Sequence, residues 1–172
     1  MKTIWTIGHS NHSSEEFVKI LQAFGIEHLV DVRRFPGSRA HPQFHADALR
    51  QSLPGVNIGY THIVQLGGRR KVNAESRNTG WRSKSFQAYA DFMSTDEFLD
   101  GITGLLDIAA QKKTAYMCSE ALWWRCHRRL ISDYLITKGW KVFNIMNMNK
   151  ADEHELISPA RMINGMLTYA EE

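Results

Sequence analysis

Thr3-Ile4-Trp5-Thr6-Ile7-Gly8-His9-Ser10-Asn11 opens with an apolar, strand-favouring run that a glycine stops and a polar segment follows. Ser13-Ser14-Glu15-Glu16 then supplies hydroxyl caps and first-turn acids, and Phe17, Ile20, Leu21 and Phe24 recur at helical spacing before Gly25. A second apolar run, His28-Leu29-Val30-Asp31-Val32, completes a strand–helix–strand unit. That order decides the fold class, because such a unit joins parallel strands through a right-handed crossover.

The same alternation continues outward. Phe35-Pro36-Gly37-Ser38 breaks the second strand, a helix is expected over 47–53, and 57–66 reads as a third strand. A polar segment, 69–85, leads to helical periods over 86–93 and 98–110. A fourth strand at 113–117, a helix over 122–138 and a fifth strand at 141–146 follow. The expectation is a single α/β domain over 1–172, a three-layer fold with a mainly parallel sheet of about five strands flanked by helices.

At 172 residues, 43% hydrophobic and 23% charged, the chain has the composition of an ordinary globular domain, which excludes disordered and fibrous classes. No run approaches the roughly 20 apolar residues of a membrane span, so no membrane partner is expected. Met1-Lys2-Thr3-Ile4-Trp5 enters a strand without a secretory apolar region, which makes the cytoplasm the expected location. Cys118 and Cys126 are too few for a disulfide framework and in that compartment are expected to stay thiols.

The net charge of +3 is mild, but the basic residues cluster at Arg33-Arg34 with Arg39, at Arg69-Arg70-Lys71 with Arg82, and at Arg125 with Arg128-Arg129. Such clusters suit an anionic small molecule or nucleic acid, and equally a solvated surface. Polar motifs also fall where strands end: His9 and Asn11 after the first, Asp31 and Arg33 after the second, Arg69 and Arg70 after the third, Cys118 and Glu120 after the fourth. In a parallel sheet those ends share one edge, where open α/β folds bind ligands.

Cys118 through Arg128 is the densest constellation. Placed between a strand and a helix N-terminus, Cys118 is either a nucleophile held as thiolate or a residue lining the site. His127, Glu120 and His9 are the candidate acids and bases. Trp81, Trp123 and Trp124 stand beside cations, as stacking platforms for bases do, and any of them serves a core equally well. The Cys-x7-Cys-His spacing lacks paired CxxC geometry, so no metal ligands are assigned, although Cys118, Cys126 and His127, with His9 as a fourth, remain an alternative zinc set. The glycines fit neither a P-loop nor a dinucleotide fingerprint, and no cofactor is indicated.

Together, Thr6-Ile7-Gly8-His9-Ser10-Asn11, Asp31 to Arg39, Leu66-Gly67-Gly68-Arg69, Asn78-Thr79-Gly80-Trp81-Arg82, and Met117-Cys118-Ser119-Glu120 through Cys126-His127-Arg128 resemble the family known as domain of unknown function 488. So does the tail His154-Glu155-Leu156 with Pro159-Ala160-Arg161. The resemblance implies one α/β domain and supplies no reaction. The expected function is therefore an enzyme or binder of a phosphate-bearing nucleotide or nucleic-acid ligand at the C-terminal edge of the sheet. Arg33, Arg39, Arg69 and Arg128 would hold its anionic groups. The alternatives are a non-catalytic nucleic-acid module and the zinc site. Oligomeric state is not legible.

Overall fold

The computed structural model describes residues 2–172. Its strands are β1 (Thr3–Gly8), β2 (His28–Asp31), β3 (Gly59–His62), β4 (Thr114–Cys118), β5 (Lys141–Asn147) and β6 (Lys150–Glu153), with a separate hairpin of β7 (Arg161–Ile163) and β8 (Met166–Thr168). The six form one sheet in the order β3-β2-β4-β1-β5-β6, parallel throughout except for β6, which runs antiparallel to β5. Helices α1 (Ser14–Ala23), α2 (Ala46–Ser52), α3 (Lys84–Phe92), α4 (Asp96–Ala109) and α5 (Arg128–Thr137) cover both faces.

The strand period of two sorts the core into two layers. Leu29 of β2 with Ala115 and Met117 of β4 packs on the side of α1 and α2, against Phe17, Leu21 and Leu49. Val30, Tyr116 and Cys118 face the other way, toward Phe98, Leu105, Leu130 and Leu135 of α4 and α5. Helices α1, α3 and α4 begin where hydroxyls cap them: Ser13, Ser83 and Thr95 accept from the N–H groups of Glu16, Phe86 and Phe98. No helix among the described residues is long and apolar enough to cross a membrane.

Two elements differ from the sequence reading. The third strand is Gly59–His62 rather than 57–66, because β3 is an edge strand that pairs only with the four residues of β2. Beyond it, Val64–Leu66 turns as a 3-10 helix that drops Leu66 into the core. The helix expected over 122–138 begins at Arg128. Trp123–Arg125 is a 3-10 turn, and Cys126 is extended, with φ −122° and ψ 148°. That break turns the cysteine inward, to a buried position beside the end of β4.

The tail is fastened by a buried polar network. Asp133 of α5 accepts from the Tyr169 hydroxyl at 2.8 Å and pairs with His154 Nε2 at 2.7 Å, while His154 Nδ1 meets Asn144 Nδ2 at 3.1 Å. Asp133, His154 and Tyr169 are all buried.

Candidate functional site

The backbone pairing of β1 with β4 runs on past their ends. His9 N–H donates to the Cys118 carbonyl at 2.9 Å and Ser10 N–H to the Ser119 carbonyl at 3.0 Å. Gly8 permits this approach, since a Cβ there would stand 1.8 Å from the Glu120 carbonyl oxygen. Gly67 does the same for the loop after β3, where a Cβ would lie 2.6 Å from Arg34 Cα. Four strand-end segments thereby meet around two adjoining recesses, whose linings share Arg33, Phe35, Arg69, Ser119 and Glu120. One, of about 280 Å³, also takes in Arg34, Tyr89, Cys118, Cys126 and His127. The other, wider and of about 740 Å³, takes in His9, Asn11 and His41.

Beneath the recesses lies a closed ionic layer. Asp31 is fully buried and binds Arg33 through both oxygens, Nε to Oδ1 at 2.9 Å and the guanidinium NH2 to Oδ2 at 2.7 Å. Arg33 also donates to the Phe44 carbonyl at 2.6 Å, and its NH1 meets His9 Nε2 at 3.3 Å. His9 Nδ1 donates to the Ser10 carbonyl at 2.8 Å, so Nε2 carries the lone pair that faces Arg33. Burial, aided by the nearby Arg33 charge, pushes the His9 imidazole down to about 4. It is neutral at pH 7, with both nitrogens engaged.

Arg128 is buried as well. Its Nε donates to Cys118 Sγ at 3.2 Å, NH1 to Thr6 Oγ1 at 3.0 Å and NH2 to the Glu120 carbonyl at 2.7 Å. Burial lowers its pKa to about 10, so it remains a cation at neutral pH. Arg128 lines neither recess, and every guanidinium nitrogen of Arg33 is already bonded within the fold. The Glu120 side chain is exposed, with Oε1 accepting from Leu122 N–H at 3.1 Å.

The free cations lie on the rim. Arg34 and Arg69 flank the Phe35 ring, their guanidinium carbons 5.8 and 5.5 Å from its centroid, and Phe35 is 64% exposed. Arg34 donates to the Arg69 carbonyl at 3.2 Å, and Arg69 takes the left-handed conformation, φ 59°. Sequence reasoning placed Arg34 in a basic cluster only and passed over Phe35. The signal was an aromatic residue between two cations and a Pro-Gly turn.

Several expected ligand contacts fall elsewhere. Trp81 is buried beneath the Arg129 guanidinium at 4.7 Å, against Phe86 and Tyr169. Trp123 packs edge-on against His154 at 5.0 Å and Trp124 at 5.5 Å. Arg70 lies 3.5 Å over the Phe92 ring and donates to the Gly67 and Gln65 carbonyls. Arg39, Arg82 and Trp124 are exposed but line neither recess.

The cysteine region corrects the expectation most. Cys118 ends β4 and is not at a helix N-terminus, because the helix starts ten residues later, at Arg128. The two cysteines are drawn together rather than set apart: their Sγ atoms are in direct contact, with Cα atoms 7.7 Å apart. His127 stands at the N-terminus of α5 without capping it, its Nδ1 3.6 Å from Cys126 Sγ and its Nε2 3.0 Å from the Val32 carbonyl. Burial pushes the His127 imidazole down to about 4, against the opposing pull of that carbonyl. His9 stands apart from this cluster, which consists of Cys118, Cys126 and His127.

The model of one family, Domain of unknown function DUF488, matches residues 13–135. The chain belongs to the DUF488 family. No curated protein and no solved structure matches it. The span matched by the DUF488 model holds Arg34, Phe35, Arg69, Glu120 and the Cys118–Cys126–His127 cluster, while His9 and Asn11 precede it.

Proposed function

We propose that this DUF488 chain binds a phosphate-bearing nucleotide in the paired recesses, with phosphate on Arg34 and Arg69 and the base on the face of Phe35. The observation that carries the reading is the exposed Phe35 ring flanked by two guanidinium groups where the recesses join. A large apolar ring left in water between cations favours a ligand with both an aromatic face and negative charge. Arg33, Arg128 and His9 support that rim from below rather than touching phosphate, since their polar atoms are already paired. Glu120 is the exposed carboxylate positioned to take up or release a proton beside a bound ligand.

A long nucleic-acid strand is the less favoured ligand. Arg70, Trp81 and Trp123, which such a groove would need, are turned into the fold. Calorimetric titration with nucleoside mono-, di- and triphosphates and with a single-stranded oligonucleotide tests the choice. Arg34→Ala and Arg69→Ala are each expected to weaken nucleotide binding about tenfold or more, as the loss of a charge-assisted hydrogen bond does. Nucleotide affinity should fall with salt less steeply than a strand's, which would lose about 0.7 log units per phosphate contacted for each tenfold rise in salt. No binding of any nucleotide at millimolar concentration, or affinity unaffected in both variants, would overturn the reading.

A further inference from the structure

We infer that Cys118, Cys126 and His127 form a binding site for one zinc-like divalent cation, set in the wall of the smaller recess. The inference stands whether or not the cleft takes a nucleotide. The ligand atoms of the three residues all lie within 4.8 Å of one another, although the residues come from the end of β4, an extended turn and the N-terminus of α5. Two thiolates and one imidazole are the donor types that zinc prefers over harder oxygen-seeking ions.

Four further features fit a cation better than a permanent sulfur–sulfur bond. First, the Cα atoms stand 7.7 Å apart, beyond the about 7 Å at which two cysteines can be bridged without backbone movement. Second, each sulfur has an N–H donor facing it: Arg128 Nε at 3.2 Å from Cys118 Sγ, and the Arg128 backbone N–H at 3.5 Å from Cys126 Sγ. Such donors favour sulfur that carries negative charge. Third, His127 donates from Nε2 to the Val32 carbonyl at 3.0 Å, which leaves the Nδ1 lone pair toward the sulfurs. A second hydrogen bond of this kind, fixing tautomer and ring orientation, is the usual companion of a metal-binding histidine. Fourth, all three residues line the recess. Three protein ligands beside a recess leave a fourth position for water or a ligand atom, as catalytic rather than structural zinc sites do.

Binding requires the dithiol form, which a phosphine reductant supplies, and the two thiol protons leave as the ion enters. Two thiolates balance the charge of the ion, and Arg128 with the exposed Glu120 borders the result.

The test uses the full chain, reduced with a phosphine, stripped with a chelator and titrated without nucleotide, first with Co²⁺ and then with Zn²⁺. The expected result is one equivalent of cobalt with thiolate-to-metal charge-transfer absorption and the intense visible bands of a tetrahedral ion, discharged by zinc. About two protons per ion should be released at neutral pH. Cys118→Ser and Cys126→Ser should each lose at least about half of the charge-transfer intensity, since one of two thiolates is gone. His127→Gln should keep it while weakening zinc by at least about tenfold. Circular dichroism of each metal-free variant separates a lost site from a lost fold, and the wild-type titration decides the matter without any variant. Reduced, folded wild type that takes up well under one equivalent would overturn the site. So would Cys126→Ser that is folded and binds with full affinity. Arg34→Ala should leave the cobalt spectrum unchanged, so this site and the nucleotide reading fail separately.

Discussion

A single missing atom at residue 8 sets how close β1 comes to the loop after β4. Alanine there would put its Cβ against the Glu120 backbone, which has no flexible side chain to yield. Gly8→Ala is therefore expected to cost about 1–3 kcal/mol, as overpacking does, and to loosen the Arg128 bond to the Glu120 carbonyl. A urea melt reads this as a lower midpoint with an unchanged slope, and an unchanged midpoint would show that the loop gives way freely. Phe35 and Arg70 make an opposite pair. Phe35→Ala removes an exposed ring, so stability should move by no more than about 0.5 kcal/mol. Nucleotide affinity should fall by the roughly 1–3 kcal/mol of a lost stacking contact. Arg70→Ala should do the reverse, because that side chain covers Phe92 and satisfies two carbonyls away from the ligand.

Among the elements, α5 ties the tail to the sheet. It presents Asp133 to both Tyr169 and His154, and so holds the hairpin and the β5–β6 end of the sheet to one helix. Asp133→Ala should cost roughly 3 kcal/mol, since two buried partners lose their acceptor, whereas Tyr169→Phe should cost about 1 kcal/mol. Equal losses in thermal unfolding would mean that the tail is held by packing alone. The same helix shows where sequence reading stops. The strand–helix–strand units were legible because Thr3–Gly8, Ser13 and Phe17 obey local rules of period and capping. The polar residues after the strands were legible for the same reason: chain direction alone puts them on one edge. That helix α5 starts at Arg128 was not, because apolar Leu122 and Trp123 continue its period, whereas Cys126 is extended and meets Cys118 at the end of β4. Nor could the chain show that Arg33 and Arg128 point inward. Their partners Asp31, Phe44, Thr6 and Glu120 include backbone carbonyls and a strand residue more than a hundred positions away.

For the whole molecule, acid should act through imidazoles that are held neutral. His9 is pushed down to about 4 and half-buried His28 is also lowered, in both cases chiefly by burial. Unfolded, each takes up a proton near 6.5, so the unfolded chain binds more protons and stability falls as pH drops below that value. For His9 the loss continues down to about pH 4, at up to about 1.4 kcal/mol per pH unit. Denaturant midpoints should be level above pH 7 and decline between 6.5 and 5; a flat profile would mean that the folded protein accepts these protons. The strand order has a further consequence, one that concerns synthesis. β1 pairs only with β4 and β5, and β2 only with β3 and β4, so the first two strands made have no bond to each other. Until residues 114–118 leave the ribosome, β1 has no partner and β2 with β3 is an isolated pair, far below what a stable sheet needs. The nascent chain is thus committed to a long interval with apolar strand edges open, during which a holding chaperone has its best substrate. Chains stalled shortly before Thr114 should be digested readily by protease, and resistance should rise once β4 and β5 have emerged to close the sheet around β1.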